Sequence, residues 1–272
     1  MNYWQGKRAI VTGGSSGLGL AIATTLVQHG ARVMIVARQP SKLDDAAEKL
    51  KALGGDVLTV AADVKQQPDV ERVKAAVHSA WGGLDLLCHC AGRSMRGTVL
   101  ATSPEEFDEL WKTNSLSAVR CVQAFAKSLT ENHGHVVLIG SLASKVAAGY
   151  LGAYPASKFP LAALAQQLRI ETEASGLHTL LVCPGPIMRD DRHADGGRYA
   201  HQASDLPVAA HKPGGGAKVR SLDPHWLAAK ILRACEQRRA ELVVPWSPRL
   251  LFIAAQISPR LGDWLLRRKT SG

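Results

Sequence analysis

Short, nearly uninterrupted apolar runs alternate along this chain with longer segments in which apolar residues return every three or four positions. The runs Arg8–Thr12, Val33–Val36, Val57–Ala61, Leu84–Cys88, Val136–Ile139, Thr179–Cys183 and Leu242–Val244 read as strands. Leu18–His29, Leu43–Leu53, Val70–Trp81, Pro104–Leu129, Tyr154–Ala174 and Pro224–Cys235 read as helices, with Gly30 at an expected C-cap and Pro104 in a first turn. Strands this continuously apolar are buried on both faces, as in a parallel sheet. The expected class is α/β: a doubly wound parallel β-sheet with helices on both faces, in a single domain. Such sheets bind ligands outside the carboxyl ends of their strands. Gly17, Arg38, Asp63, Gly92, Ser141 and Pro184 all follow strands or lie in the turns just after them, which puts them on one rim.

The rhythm breaks between Met188 and Ser221, where Arg189–Gly197 and Pro213–Gly216 are polar and glycine-rich. A loop of that length inside a compact domain is usually functional, and a substrate lid over about 186–222 is expected. The domain is set at 1–247, with 248–272 an apolar and basic extension. His193, His201 and His211 lie in the lid at spacings that match no metal motif and are read as surface residues.

A net charge of +10 raises the question of nucleic acid, but the positive residues are scattered, with no zinc-finger spacing or aromatic-interleaved basic run. Nucleic acid is therefore not an expected partner; anionic cofactors and anionic membrane surfaces are. Cys88, Cys90, Cys121 and Cys183, four of five cysteines, fall in apolar patterns and read as buried reduced thiols of a cytoplasmic protein. Cys88-His89-Cys90 offers two thiols on one face of a strand with no matching second pair, so strand packing is favoured and no metal is expected. The N-terminus lacks the apolar core of a signal peptide, and no run reaches the roughly 18 apolar residues of a spanning helix.

Three stretches carry chemistry. Gly13-Gly14-Ser15-Ser16-Gly17-Leu18-Gly19 joins the first strand to the first helix, the Rossmann-like setting in which glycines let the backbone approach a pyrophosphate at a helix N-terminus. The second strand ends in Ala37-Arg38, where an acid would hold the ribose hydroxyls of NAD; an arginine there suits the 2′-phosphate of NADP. Tyr154 and Lys158 share a helix face one turn apart. A nearby ammonium favours the phenolate, pulling a tyrosine pKa of about 10 toward neutrality, where the phenol can exchange a proton.

Together with Thr12-Gly13-x-x-x-Gly17-x-Gly19, Asp63-Val64, Ala91-Gly92, Asn114, Ser141 and Pro184-Gly185, these residues resemble the short-chain dehydrogenase/reductase family, in its NADP-preferring main branch, over about residues 5–245. The resemblance implies hydride transfer between NADP(H), with NAD(H) less favoured, and a carbonyl or secondary alcohol. Tyr154 would be the general acid or base, Lys158 would lower its pKa and hold the nicotinamide ribose, Ser141 would bond the substrate oxygen, and Asn114 would hold a water linking Lys158 to solvent. Cofactor contacts would come from Gly13, Ser15, Ser16, Gly17, Leu18, Gly19, Arg38, Asp63, Val64, Ala91, Gly92, Tyr154, Lys158, Pro184, Gly185 and Ile187. Asp63 would meet the adenine amino group and Val64 pack beside the ring.

Two departures stand out. His89 and Cys90 replace the family's two asparagines before Ala91-Gly92, which puts the local strand-to-strand hydrogen bonding in question. The threonine usually found shortly after Pro184-Gly185 is replaced near Met188-Arg189. The resemblance also implies a homodimer or homotetramer through Pro104–Leu129 and Tyr154–Ala174. Arg38 and the tail are similar to members acting at membranes on lipid or steroid-like carbonyls, which implies an apolar substrate. The tail's Leu250, Leu251, Phe252, Ile253, Ile257, Leu261, Trp264, Leu265 and Leu266, set among basic residues, suit either a peripheral membrane contact or packing over the substrate pocket or oligomer interface. A nucleotide-binding regulatory or scaffold protein without turnover is the alternative to the enzyme.

Overall fold

Seven strands form one sheet in the computed structural model, which describes residues 2–188, 206, 210 and 220–270. They are β1 (Arg8–Thr12), β2 (Arg32–Ala37), β3 (Val57–Ala61), β4 (Leu86–His89), β5 (His135–Ile139), β6 (His178–Pro184) and β7 (Glu241–Val244). Their order is β3-β2-β1-β4-β5-β6-β7, and every pairing is parallel. The order reverses between β1 and β4, which opens the crevice where doubly wound sheets bind ligands.

Alternating residues of each strand face opposite layers. Ala9 and Val11 join a core with helices α1 (Gly17–Gln28) and α2 (Pro40–Lys51). Ile10 joins the other, with α3 (Gln67–Trp81) and α5 (Ser117–Glu131). Between them in sequence lies α4 (Pro104–Trp111), opened by a capping box in which Ser103 and Glu106 bond each other's backbone N–H. The layer of α3 and α5 is completed by α6 (Tyr154–Glu171), and the layer of α1 and α2 by α7 (Pro224–Glu236). Trp4, before β1, is fully buried in the α1/α7 layer and donates from Nε1 to Glu236 Oε1 at 2.8 Å.

The elements match the apolar pattern, with revisions where polar residues begin or end them. α2 and α3 start earlier than the pattern shows, because their first turns are polar and carry proline. β4 begins at Leu86, since the N–H groups of Leu84 and Asp85 bond to Ser128 Oγ and Arg8 O as the chain enters the sheet. The helix expected over Pro104–Leu129 is two helices joined by a π-turn at Lys112–Leu116. The one expected over Tyr154–Ala174 ends at Glu171 and continues as a 3-10 turn, Glu173–Ser175.

The tail folds as α8 (Pro248–Ile257) and α9 (Pro259–Thr270). Phe252 reaches the α3/α5/α6 core, whereas Leu250, Ile253, Ile257, Leu261 and Trp264 are exposed. Among the described residues no helix is long and apolar enough to cross a membrane. Most of the expected lid, with Arg189, His193, His201 and His211, lies outside the described residues.

Candidate active site

The residues singled out in the sequence converge on the carboxyl rim of the sheet. Leaving β1, Gly17 takes φ +53° and opens α1 with free space where a Cβ would sit. Gly19 has no such room: a Cβ there would lie 2.2 Å from Gly13 O, so the close approach of helix to turn requires glycine. Ser16 at the N-cap makes no side-chain capping bond among the described residues, and the first turn of α1 holds no acid. Space at Gly17 and uncapped N–H groups behind it fit the pyrophosphate of a dinucleotide. Arg38, just past β2, is exposed and enters no ion pair among the described residues. After β3, Asp63 is half-buried, its Oδ1 accepting from Lys65 N–H at 3.1 Å, while Val64 is buried.

Beyond β4, Gly92 lies against two of the expected catalytic residues. A Cβ at Gly92 would stand 2.9 Å from Asn114 Oδ1 and 3.2 Å from Lys158 Nζ. Asn114, in the middle of the π-turn, is fully buried and binds Arg93 from both sides. Its Oδ1 accepts from Arg93 N–H at 2.8 Å, and its Nδ2 donates to Arg93 O at 2.9 Å and to Ser157 Oγ at 2.8 Å. Single π-turns of this kind often mark functional positions.

After β5, Ser141 starts a short 3-10 turn, Leu142–Ser144. Its Oγ accepts from Ala143 N–H at 3.1 Å, which leaves the hydroxyl hydrogen free to point elsewhere. Tyr154 opens α6 half-buried, packed against the small cluster of Met95, Leu110 and Ala153. One turn on, Lys158 is buried and donates from Nζ to Ile139 O at 2.8 Å. Burial pulls the Lys158 ammonium down to about 8. At the end of β6, Gly185 N–H donates to Val244 O at 2.7 Å, and Ile187 pairs with Leu222.

The two unusual residues before Ala91 are accommodated. Ser117 Oγ donates to Thr113 O at 2.6 Å, so it accepts from His89 Nε2–H at 3.1 Å. His89 Nδ1 is then bare and accepts from Thr12 Oγ1 at 3.1 Å, while Thr12 Oγ1 accepts from Ala91 N–H at 3.2 Å. Burial and the charge of Lys158 hold His89 down to about 3, in keeping with this neutral tautomer. One imidazole thus carries a continuous chain of hydrogen bonds from β1 to α5. Cys90 turns its Sγ to within 3.5 Å of Cys88 Sγ, both on the α1/α7 face.

Asn114, Ser141, Tyr154 and Lys158 are therefore brought to one rim, together with the glycine turn. Ser157 was not among the expected site residues. It receives Asn114 Nδ2, donates from Oγ to Tyr154 O at 2.7 Å, and accepts from Ser115 at its carbonyl at 2.6 Å. Its signal was a small polar residue next to Lys158 on the buried side of a helix.

A family profile described as short chain dehydrogenase matches residues 7–195. Glycine betaine reductase ATRR of Emericella nidulans is 35% identical over 85% of this chain, which spans 18% of that much longer protein. The ketoacyl reductase HetN of Nostoc is 28% identical over 98% of this chain and 90% of its own length. Dehydrogenase/reductase SDR family member 7B of Danio rerio is 30% identical, covering 88% of this chain and 77% of its own. Among solved structures, L-sorbose reductase from Gluconobacter frateurii, complexed with NADPH and L-sorbose, gives a TM-score of 0.77 at 26% identity, over 88% of this chain and 95% of that one. A Burkholderia phymatum short chain dehydrogenase/reductase in complex with NAD gives 0.83 at 21% identity over 96% of each chain, which speaks for the fold alone.

Proposed function

This chain belongs to the short-chain dehydrogenase family, and from that we propose that it is an NADP(H)-dependent carbonyl reductase, or the reverse alcohol dehydrogenase, with Asn114, Ser141, Tyr154 and Lys158 as its working residues. The observation that carries the reading is the placement of Lys158. Its ammonium is buried one helical turn behind Tyr154, tied to Ile139 O, and set against Gly92 beside Asn114. A buried cation costs stability, so one held at the crevice that the glycine turn enters marks a functional position.

When bound, the nicotinamide supplies or takes up the hydride. Tyr154 gives its phenolic proton to the substrate oxygen in reduction and takes it back in oxidation. Ser141, its hydroxyl hydrogen uncommitted, donates to the same oxygen, where negative charge grows. Asn114 holds Arg93 and Ser157, which fixes the segment after β4 and the first turn of α6 relative to each other. Lys158 keeps a positive charge beside Tyr154 and offers a donor to the ribose.

Arg38 favours NADP(H), because it is exposed at the end of β2 and no acid stands there. The relative solved with NADPH supports this choice. The exposed apolar residues of α8 and α9 favour an apolar carbonyl over a sugar. A homo-oligomer fits the outer face of α4 and α6, where Trp111 and Phe159 are exposed beside a hollow of about 310 Å³ lined by Phe107, Asp108, Trp111, Ala156 and Ser157.

The test is Tyr154→Phe, assayed by NADPH oxidation over a panel of ketones from quinones to long-chain keto-lipids. Turnover should vanish with cofactor affinity nearly unchanged. Normal turnover in the variant would reject the mechanism, and tight NADPH binding without turnover by the native chain on any carbonyl would favour a cofactor-binding regulator.

A further inference from the structure

A second cluster of reactive side chains lies at the amino end of the sheet, away from the crevice. β5 and β6 both begin with histidine, and His135 and His178 are partners in the strand register. Strand alternation turns both to the α1/α7 layer, where Cys235 of α7 stands over them. All three side chains are buried, and one ring nitrogen from each histidine and Cys235 Sγ lie within 4.8 Å of one another.

The hydrogen bonds around the pair assign its protons. His178 Nε2 lies 2.8 Å from Arg239 O, and a carbonyl only accepts, so this nitrogen carries hydrogen. Burial keeps the rings neutral, which leaves His178 Nδ1 bare. His135 Nδ1, 2.8 Å away, must then donate to it, and His135 Nε2 accepts from Tyr3 O–H at 2.6 Å. Two Nδ1 atoms thus share a single proton in front of a thiol, while both outer nitrogens are already held by a hydroxyl and a backbone carbonyl. That outer arrangement is the one that orients metal-binding histidines: the ring nitrogen away from the ion is bonded to a fixed partner.

We propose that His135 Nδ1, His178 Nδ1 and Cys235 Sγ form a binding site for a thiophilic d10 cation, Zn²⁺ or Cu⁺, unrelated to hydride transfer. Two imidazoles and a thiolate select these ions and reject Mg²⁺ and Ca²⁺, which take oxygen. On binding, the thiol releases its proton to solvent. His135 shifts its hydrogen from Nδ1 to Nε2 and donates it to the Tyr3 oxygen, so one proton leaves for each cation bound. Zinc with bonds to nitrogen of about 2.0–2.1 Å needs its two nitrogens about 3.3 Å apart, a separation that small ring rotations provide. Solvent approaches His178 through a hollow of about 480 Å³ between the end of α6 and Arg238–Ala240. The ion would tie together β5, β6, α7 and, through Tyr3, the N-terminal segment.

The experiment uses the full-length chain freed of metal with a chelator. It is titrated with Zn²⁺ against a chromophoric chelator and, without oxygen, with Cu⁺ against a cuprous chelator. One equivalent should bind, and the ion held more tightly identifies the site as zinc or cuprous. Losing an outer partner of a metal-binding histidine typically costs about 10–100-fold in affinity. Losing a ligand in Cys235→Ser or His178→Gln should therefore cost more than about 100-fold, with NADPH affinity kept as the folding control. Co²⁺ in the native chain should give a thiolate-to-cobalt charge-transfer band of the intensity of one sulfur ligand, where the Cys88–Cys90 pair would give that of two, and this readout needs no variant if both misfold. The proposal is overturned if neither Zn²⁺ nor Cu⁺ binds more tightly to the native chain than to a folded variant, or if a chain that binds Zn²⁺ gives no such band with Co²⁺.

Discussion

Lys158 Nζ donates to the carbonyl of Ile139 at 2.8 Å, so the last residue of β5 holds the ammonium two residues before Ser141. Burial sets the folded pKa of this lysine at about 8, below its ordinary 10.5. Below pH 8 the folded chain bears the full cost of a buried ammonium; between 8 and 10.5 it binds fewer protons than the unfolded chain, so this cost is relieved as pH rises. Lys158→Met should therefore unfold at higher denaturant than the native chain at pH 7, by up to about 3 kcal/mol, an advantage that fades toward pH 10.5. Its turnover should be lost throughout. In the native enzyme, kcat/KM should fall on an alkaline limb centred near 8 as the ammonium is lost.

If the proposed function holds, Arg38 should set the choice of dinucleotide. A charge-assisted bond to a 2′-phosphate is worth about 1.5–3 kcal/mol, one to two decades in affinity. Fluorescence titration should show NADPH binding more tightly than NADH by about that margin, and Arg38→Ala should bring the two together. Equal affinities in the native chain reject the assignment.

The glycine turn separates two effects of adding one methyl group. Gly19→Ala drives a Cβ onto Gly13 O and should destabilise the chain by about 1–3 kcal/mol or more, with lower expression. Gly17→Ala meets no atom, so it should cost only about 1 kcal/mol for its left-handed backbone while weakening NADPH binding by at least tenfold. Thermal melts with and without NADPH distinguish the two.

Asp85 holds β1 to β4 from below. Its carboxylate accepts from Arg8 Nε at 2.7 Å, from Arg8 Nη2 at 3.2 Å and from Arg8 N–H at 2.9 Å. Burial works to raise this carboxyl, but the bonds from Arg8 outweigh it and hold it below 3.8. The stability it lends is present above pH 3.8 and is lost as pH falls through the lower folded value. Asp85→Asn should cost about 3 kcal/mol at pH 7, because the Arg8 charge is left unpaired, and should flatten the acid limb of a stability profile.

Self-association can be read by sedimentation. The native chain should be dimeric or larger at micromolar concentration, and Trp111→Glu, which puts a charge into the exposed face of α4, should shift it to monomer without loss of the fold.

The sheet was legible because its strands are almost wholly apolar and its crossovers periodic, so Ile10, Leu87 and Val136 announced their burial. The rim followed, since residues just after strands in such a sheet have only one place to be. The π-turn at Lys112–Leu116 was not legible: an extra residue in a helical ladder leaves the apolar period nearly intact. His89 looked like a break in strand hydrogen bonding, whereas Thr12 and Ser117, 77 and 28 residues away, complete it. His135 and His178 lie 43 residues apart, and only the strand register brings their rings together.

The π-turn carries a consequence for insertion and deletion. It is one residue in excess of a regular ladder, so deleting a single position from Lys112–Leu116 would let α4 and α5 run on as one unbroken helix, with both flanking faces still seated on their neighbours. What would disappear is the inward turn of Asn114 toward Arg93 and Ser157, and with it the tie between the segment after β4 and the first turn of α6.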